Sequence, residues 1–164
     1  DKNSSTLRQI ASCQIAGLES NPNKLGYDSV GTNDEIKPQN LQTPSKKKLD
    51  GGGNYTDLTH KRHQKYIEDN VNIHCSGFIN GQLIFMIKVP YLSIKDHLKG
   101  LLNNHLPNGD VKNIYLRSAK FSFKHYKDSE GVVVEFLRND FYNYKSYINK
   151  ELYSFLSNEL ELPE

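Results

Sequence analysis

The chain has 164 residues, 36% hydrophobic and 24% charged, with ten tyrosines and seven phenylalanines, which suits one domain with a lean, aromatic-rich core. A net charge of +2 and a pI near 8.4 neither demand nor exclude a nucleic-acid partner, because a basic face can sit on an otherwise balanced surface. No run of 18 apolar residues is present, which excludes a membrane-spanning helix, and Cys13 and Cys75 make neither a disulfide framework nor a zinc spacing.

Residues 1–6 are polar and are expected to be frayed; a single domain is expected over 7–164. Leu7, Ile10, Ala11, Ile15 and Leu18 recur at helical spacing, with Thr6 as a candidate N-cap. Asn21-Pro22-Asn23 stops that helix. Residues 26–30 predict a short strand, 31–33 a turn and 34–37 a second strand that Pro38 ends or places at an edge. Residues 40–54 carry Lys46–Lys48 and three consecutive glycines and read as a mobile loop. A helix capped by Thr56 or Asp57 is expected to run to about residue 70. Two strands, 71–79 and 82–89, flank Asn80-Gly81, the strongest hairpin signal in the chain. Ser93 opens a helix to about 105, strands follow at 111–116, 120–126 and 131–137, and a last helix starts at Asn139 or Asp140 with an apolar stripe through Leu156. The order predicts a mixed α/β (α+β) domain with a central mixed sheet flanked by helices.

The informative stretch is 25–40. On a strand, Glu35 and Lys37 share one face while Ile36 points to the core. A tight turn at 31–33 would bring Asp28 beside Glu35, so that two carboxylates and one ammonium converge. Such a set suits phosphodiester hydrolysis. Carboxylates offer hard oxygen ligands to Mg²⁺, the metal activates water and polarises the phosphoryl group, and a lysine stabilises the charge that develops.

Asp28, six intervening residues, then Glu35-Ile36-Lys37, preceded by a helix, resembles the PD-(D/E)XK nucleases and their restriction-endonuclease-like fold. The resemblance implies Asp28 and Glu35 as metal ligands, Lys37 as the catalytic lysine, Glu19 as an added carboxylate from the preceding helix, and Gln39 as a polar group on the same face. It also implies Mg²⁺ or Mn²⁺ as cofactor and DNA as substrate, with RNA as a second candidate. Tyr27 stands where the family pattern has proline. A restriction enzyme, which often acts as a homodimer, and a toxin nuclease domain with a cognate immunity protein both fit. The expected location is the cytoplasm, or a target cell's cytoplasm for a toxin domain. A start at Asp1 rather than Met suits a domain cut from a longer protein. The competing expectation is a non-catalytic nucleic-acid- or protein-binding module in which the three charges are incidental.

Lys46, Lys47 and Lys48 are candidates for a phosphate-contacting arm, and Lys61, Arg62 and Lys65 for a backbone-contacting helix face; a solvated loop and a solvated helix are the alternatives. Lys120 and Lys124 alternate with Phe121 and Phe123, as a half-buried strand requires. A zinc site from His60, His63, His74 and Cys75 fits zinc spacing poorly.

Overall fold

The computed structural model describes residues 2–21, 27–28 and 31–160. Its elements run α1 (Lys2–Ala16), β1 (Asp34–Leu41), β2 (Gly53–Leu58), α2 (His60–Glu68), β3 (Asn72–Ile79), β4 (Gln82–Pro90), α3 (Lys95–His105), β5 (Leu116–Phe121), β6 (Val133–Leu137) and α4 (Lys150–Leu160). The main sheet has the order β1-β3-β4-β6. Within it β1 is parallel to β3, and the other pairs are antiparallel. Strands β2 and β5 form a separate antiparallel pair. This is a mixed α/β domain with a central mixed sheet flanked by helices, as the element order predicts. Among the described residues, no helix is long and apolar enough to cross a membrane.

Alternation along the strands builds the two faces of the sheet. Register pairs Ile36 with His74 and Lys37 with Cys75. One face carries Ile36, His74 and Ser76 and is covered by α1, where the Ser12 and Ser76 hydroxyls meet at 3.0 Å in a buried contact. The other face carries Ile73, Cys75, Ile87 and Val89, all buried with Tyr55, Leu58, Tyr91, Leu98 and Phe121 in the main core. Cys13 and Cys75 are buried free thiols.

Local chemistry explains where the elements begin and end. Helix α1 starts at Lys2 rather than near Leu7, since nothing in 2–5 breaks a helix. It stops at Gly17, whose φ of 73° allows the amide of Leu18 to bond the carbonyl of Cys13 at 2.8 Å. Strand β1 passes through Pro38 to Leu41 instead of ending there. It is an edge strand, and the amide of Ile36 points away from β3 to Asp28 Oδ2. Position 38 faces the same open side two residues later, so proline removes no ladder bond. Asn80 and Gly81 have φ of 49° and 80°, the geometry of the expected two-residue hairpin.

Other boundaries differ from the sequence expectation. Residues 53–58 form β2, and α2 begins only after Thr59, whose hydroxyl accepts from the amide of Arg62 at 3.1 Å. Ser93 ends a short 3-10 turn and makes no side-chain cap. Residues 111–115 hold an isolated bridge in place of a strand, and Phe123–His125 turns out of the sheet as a 3-10 segment. A further 3-10 segment, Phe141–Tyr147, precedes α4. Asn149 then caps α4, its Oδ1 accepting from the amides of Glu151 and Leu152.

The expected loop at 40–54 is largely built into the fold. Leu49 is 1% exposed, and its backbone is bonded to Tyr147 and Asn149. The three glycines serve close approach. A Cβ at position 52 would lie 1.8 Å from the carbonyl oxygen of Phe121, and one at position 53 would lie 2.8 Å from Lys37 Cβ. The sequence shows three glycines either way; only the neighbouring strands reveal that they are seats for packing.

Candidate functional site

Strand β1 places Glu35 and Lys37 on the face that meets β2. The expected strand at 26–30 falls mostly outside the described residues, but Asp28 itself sits in a bend beside β1. Its amide donates to the carbonyl of Asp34 at 3.1 Å. Its carboxylate accepts from the amide of Ile36 at 2.6 Å and from Gln9 Nε2 of α1. From there it hydrogen-bonds the Glu35 side chain and acts on the charges of Glu35 and Lys37. The three groups that the motif singles out therefore converge.

The electrostatics follow from burial. Glu35 is pushed up to about 8 by desolvation, by the nearby Asp28 charge and by the hydrogen bond to Asp28, against the opposing pull of Lys37 and Arg62. Near neutral pH Glu35 is therefore drawn toward its protonated form. Desolvation also lowers Lys37, outweighing the stabilising charges of Glu35 and Asp28. The ammonium is held in place on two sides. Lys37 Nζ donates to the carbonyl of Asn54 at 3.1 Å and stands 4.0 Å from the centroid of the Tyr55 ring, a cation–π contact.

Tyr55 is the residue that sequence reasoning missed. It is 1% exposed and packs with Tyr66 and Tyr91 at centroid distances of 5.3 and 5.8 Å, forming the floor under Lys37. Its hydroxyl is buried and has no partner among the described residues. The charge of Glu35 is felt there. Position 55 lies between the stretch read from the sequence as a loop, 40–54, and the helix expected from Thr56 or Asp57, so no strand pattern pointed to it.

The other expected site residues are distributed differently. Glu19 follows the end of α1 and is exposed. The left-handed Gly17 takes the chain off the helical spacing that would have aimed Glu19 inward, and Gln9 is the α1 residue that reaches Asp28. Gln39 lies on the Lys37 face but is bonded to Asp50, with Nε2 donating to Oδ1 at 2.6 Å and Oε1 accepting from the Asp50 amide at 3.3 Å. Lys46, Lys47 and Lys48 are exposed.

On α2, Arg62 folds back onto the carbonyls of Thr56 and Asp57, both at 2.8 Å, and onto the Tyr66 hydroxyl at 2.6 Å. Lys65 pairs with Asp69 at 2.7 Å. Lys61 is exposed. Arg62 therefore contributes its field to Glu35 and Lys37 while its hydrogen bonds are spent within the chain. His63 is occupied by the Tyr91 hydroxyl at 2.7 Å, and His74 by carboxylates, so the four-residue zinc arrangement does not assemble.

Asp28 and Glu35 supply two hard carboxylate donors, with Glu35 pushed up chiefly by burial, beside the buried Tyr55 hydroxyl. Two carboxylates are the donor type that a Mg²⁺ or Mn²⁺ ion takes alongside several retained waters. Among the described residues no group of three or more His, Cys, Asp or Glu side chains could hold an ion.

A second buried charge cluster lies on the opposite face of the sheet. His74 Nε2 meets Asp34 Oδ1 at 2.6 Å, and Nδ1 meets Glu135 Oε1 at 2.5 Å. Burial alone would lower the imidazole; the hydrogen bonds and charges of Glu135 and Asp34 outweigh it, and the net shift is upward. A raised histidine stabilises the fold fully below its unfolded pKa near 6.5 and loses that contribution as pH rises through the folded value. His74→Gln is expected to destabilise by about 3 kcal/mol at pH 6 and by clearly less at pH 9. Urea unfolding at the two pH values checks this, and equal losses would refute a charged His74.

Gly53 gives a test of the Lys37 seat. Gly53→Ala must displace the lysine stem and is expected to cost about 1–3 kcal/mol while lowering any Lys37-dependent activity about tenfold or more, because small misplacements of a catalytic group cost rate steeply. Thermal melting and activity measured on the same preparation check it.

The fold and site thus define a mixed α/β domain with a charged edge-strand cluster. No protein-family model matches the chain, and no curated protein matches it significantly.

Proposed function

We propose that the protein is a metal-dependent nuclease of PD-(D/E)XK type that hydrolyses phosphodiester bonds, with DNA as the favoured substrate and RNA second. The observation that carries this reading is the convergence of Asp28, Glu35 and Lys37 at the outer edge of β1, preceded by a helix and followed by a strand parallel to it. Asp28 and Glu35 would hold Mg²⁺ or Mn²⁺, which when bound supplies charge neutralisation at the phosphoryl group and a more acidic water.

The chain's own residues do the rest. Gln9 and the Ile36 amide fix the orientation of the Asp28 carboxylate. Asn54 and the Tyr55 ring hold Lys37 where it can orient the attacking water and stabilise negative charge on a non-bridging phosphate oxygen. Water attacks phosphorus in line. The new bond is P–OH, the P–O3′ bond breaks, the O3′ oxygen leaves with a proton, and the products are a 5′-phosphate and a 3′-hydroxyl.

A second reading is a non-catalytic nucleic-acid- or protein-binding module. It is favoured by the fact that both Asp28 oxygens and the Lys37 ammonium already have partners within the chain. Incubation of the wild-type protein with supercoiled plasmid and with a structured RNA, with Mg²⁺, with Mn²⁺ and with EDTA, separates the two. The nuclease reading expects nicking that EDTA abolishes; intact DNA and RNA under both metals would leave the binding module.

A further inference from the structure

A hollow of about 840 Å³ lies along α4, bounded by the 3-10 segment at 141–147 and by Lys48. Three lysines line it, Lys48, Lys145 and Lys150, together with Ser146, Ser154 and Asn158. No carboxylate lines it, and among the described residues none of the three ammonium groups has an acidic partner; the nearby Glu151 pairs with Lys127 at 3.2 Å instead. Lys145 lies 5.4 Å from the centroid of the Tyr153 ring, which limits its freedom. Three cations around one hollow repel one another, and an anion settling among them relieves that repulsion.

The hollow is connected to the candidate nuclease site through a run of hydrogen bonds. Lys48 precedes Leu49, whose amide donates to the Tyr147 carbonyl at 2.8 Å and whose carbonyl accepts from Asn149 at 2.8 Å. The next residue, Asp50, is bonded to Gln39, which stands on the β1 face of Lys37 and two residues, about 7 Å, further along the strand. The lysines come from three separate elements, the segment before Leu49, the 3-10 segment and the first residue of α4, and no glycine lines the hollow to cradle a single phosphate. Cations from several elements, with hydroxyl and amide donors in the same lining, match a chain of phosphates better than a single one.

We infer that the Lys48–Lys145–Lys150 hollow is a binding groove for the phosphodiester backbone of a nucleic-acid strand that flanks the bond to be cut. The inference rests on the nuclease reading for its place in the reaction, but the groove is tested by binding alone. Wild-type protein is titrated in EDTA against fluorescently labelled single- and double-stranded oligonucleotides across a salt series. It is compared with Lys145→Glu/Lys150→Glu and with Lys112→Glu, an exposed lysine outside the groove.

The groove variant is expected to bind about tenfold or more weaker with a shallower salt dependence, because two phosphate contacts are lost; Lys112→Glu is expected to bind like wild type. Equal weakening by both variants, or none by either, overturns the proposal. Displacement of the oligonucleotide by inorganic phosphate or pyrophosphate at equal concentration would assign the hollow to a small phosphate ligand and also overturns it. Should charge reversal prevent folding, acetylation of wild-type Lys145 and Lys150 with and without oligonucleotide replaces it, and absence of protection refutes the groove. A protein that binds through the groove but cuts nothing loses the nuclease reading and keeps the groove. One that cuts, with the groove variant binding normally, does the reverse.

Discussion

Replacing Lys37 by alanine is expected to lower Mg²⁺-dependent cleavage by about a hundred- to a thousandfold, the usual loss when one preorganised donor to a developing anion is removed. The fold should survive. Lys37 is held against Asn54 and Tyr55, but burial already makes its charge costly, as its lowered pKa reflects, so losing it removes a penalty along with two contacts. Lys37→Gln keeps more of the stem and should lose nearly as much activity. Plasmid nicking rates and melting temperatures, taken together, separate a chemical role from a structural one. Wild-type nicking rates in the alanine variant would remove Lys37 from the mechanism. A parallel loss of folding would leave the glutamine variant to decide.

Binding of Mg²⁺ is expected to release close to one proton per ion at pH 7. Burial and Asp28 push Glu35 up to about 8, so a cation must displace its proton before both carboxylates can coordinate. Apparent affinity should rise about tenfold per pH unit up to pH 8 and level off above. Calorimetry in two buffers of different ionisation enthalpy counts the proton directly, and a count near zero would show that the pair does not hold the ion.

The same shift makes a prediction for stability. A carboxyl raised from 4.5 to about 8 on folding binds more protons in the folded state across that window. Stability of the metal-free protein therefore falls as pH rises from 4.5 through 8. Glu35→Gln mimics the protonated form, so it should be nearly neutral at pH 5 and stabilising by about 2–4 kcal/mol at pH 9, while abolishing the proton release. Chemical denaturation in EDTA at both pH values tests it; a glutamine variant less stable than wild type at pH 9 would contradict a strained Glu35.

The sequence by itself determined the ladder positions and the pair of functional groups that share a face. Alternation puts Glu35 and Lys37 on one side of β1 whatever covers it, Asn80-Gly81 makes the β3–β4 hairpin from local turn geometry, and the α4 stripe follows helical period. These are local consequences of backbone geometry. Only the tertiary structure decided the partners. Gln9 rather than Glu19 reaches Asp28 because Gly17 ends α1 early, a cap whose effect on aim cannot be read without the sheet beneath it. Gln39 answers to Asp50, and the glycines at 51–53 are packed because β5 and Lys37 lie against them. His74 is drawn toward its protonated form because strands distant in sequence bring Asp34 and Glu135 to its two nitrogens. Long-range approach sets burial, and burial sets the protonation of Glu35 and Lys37; neither quantity exists in a string of residues until the chain has closed on itself.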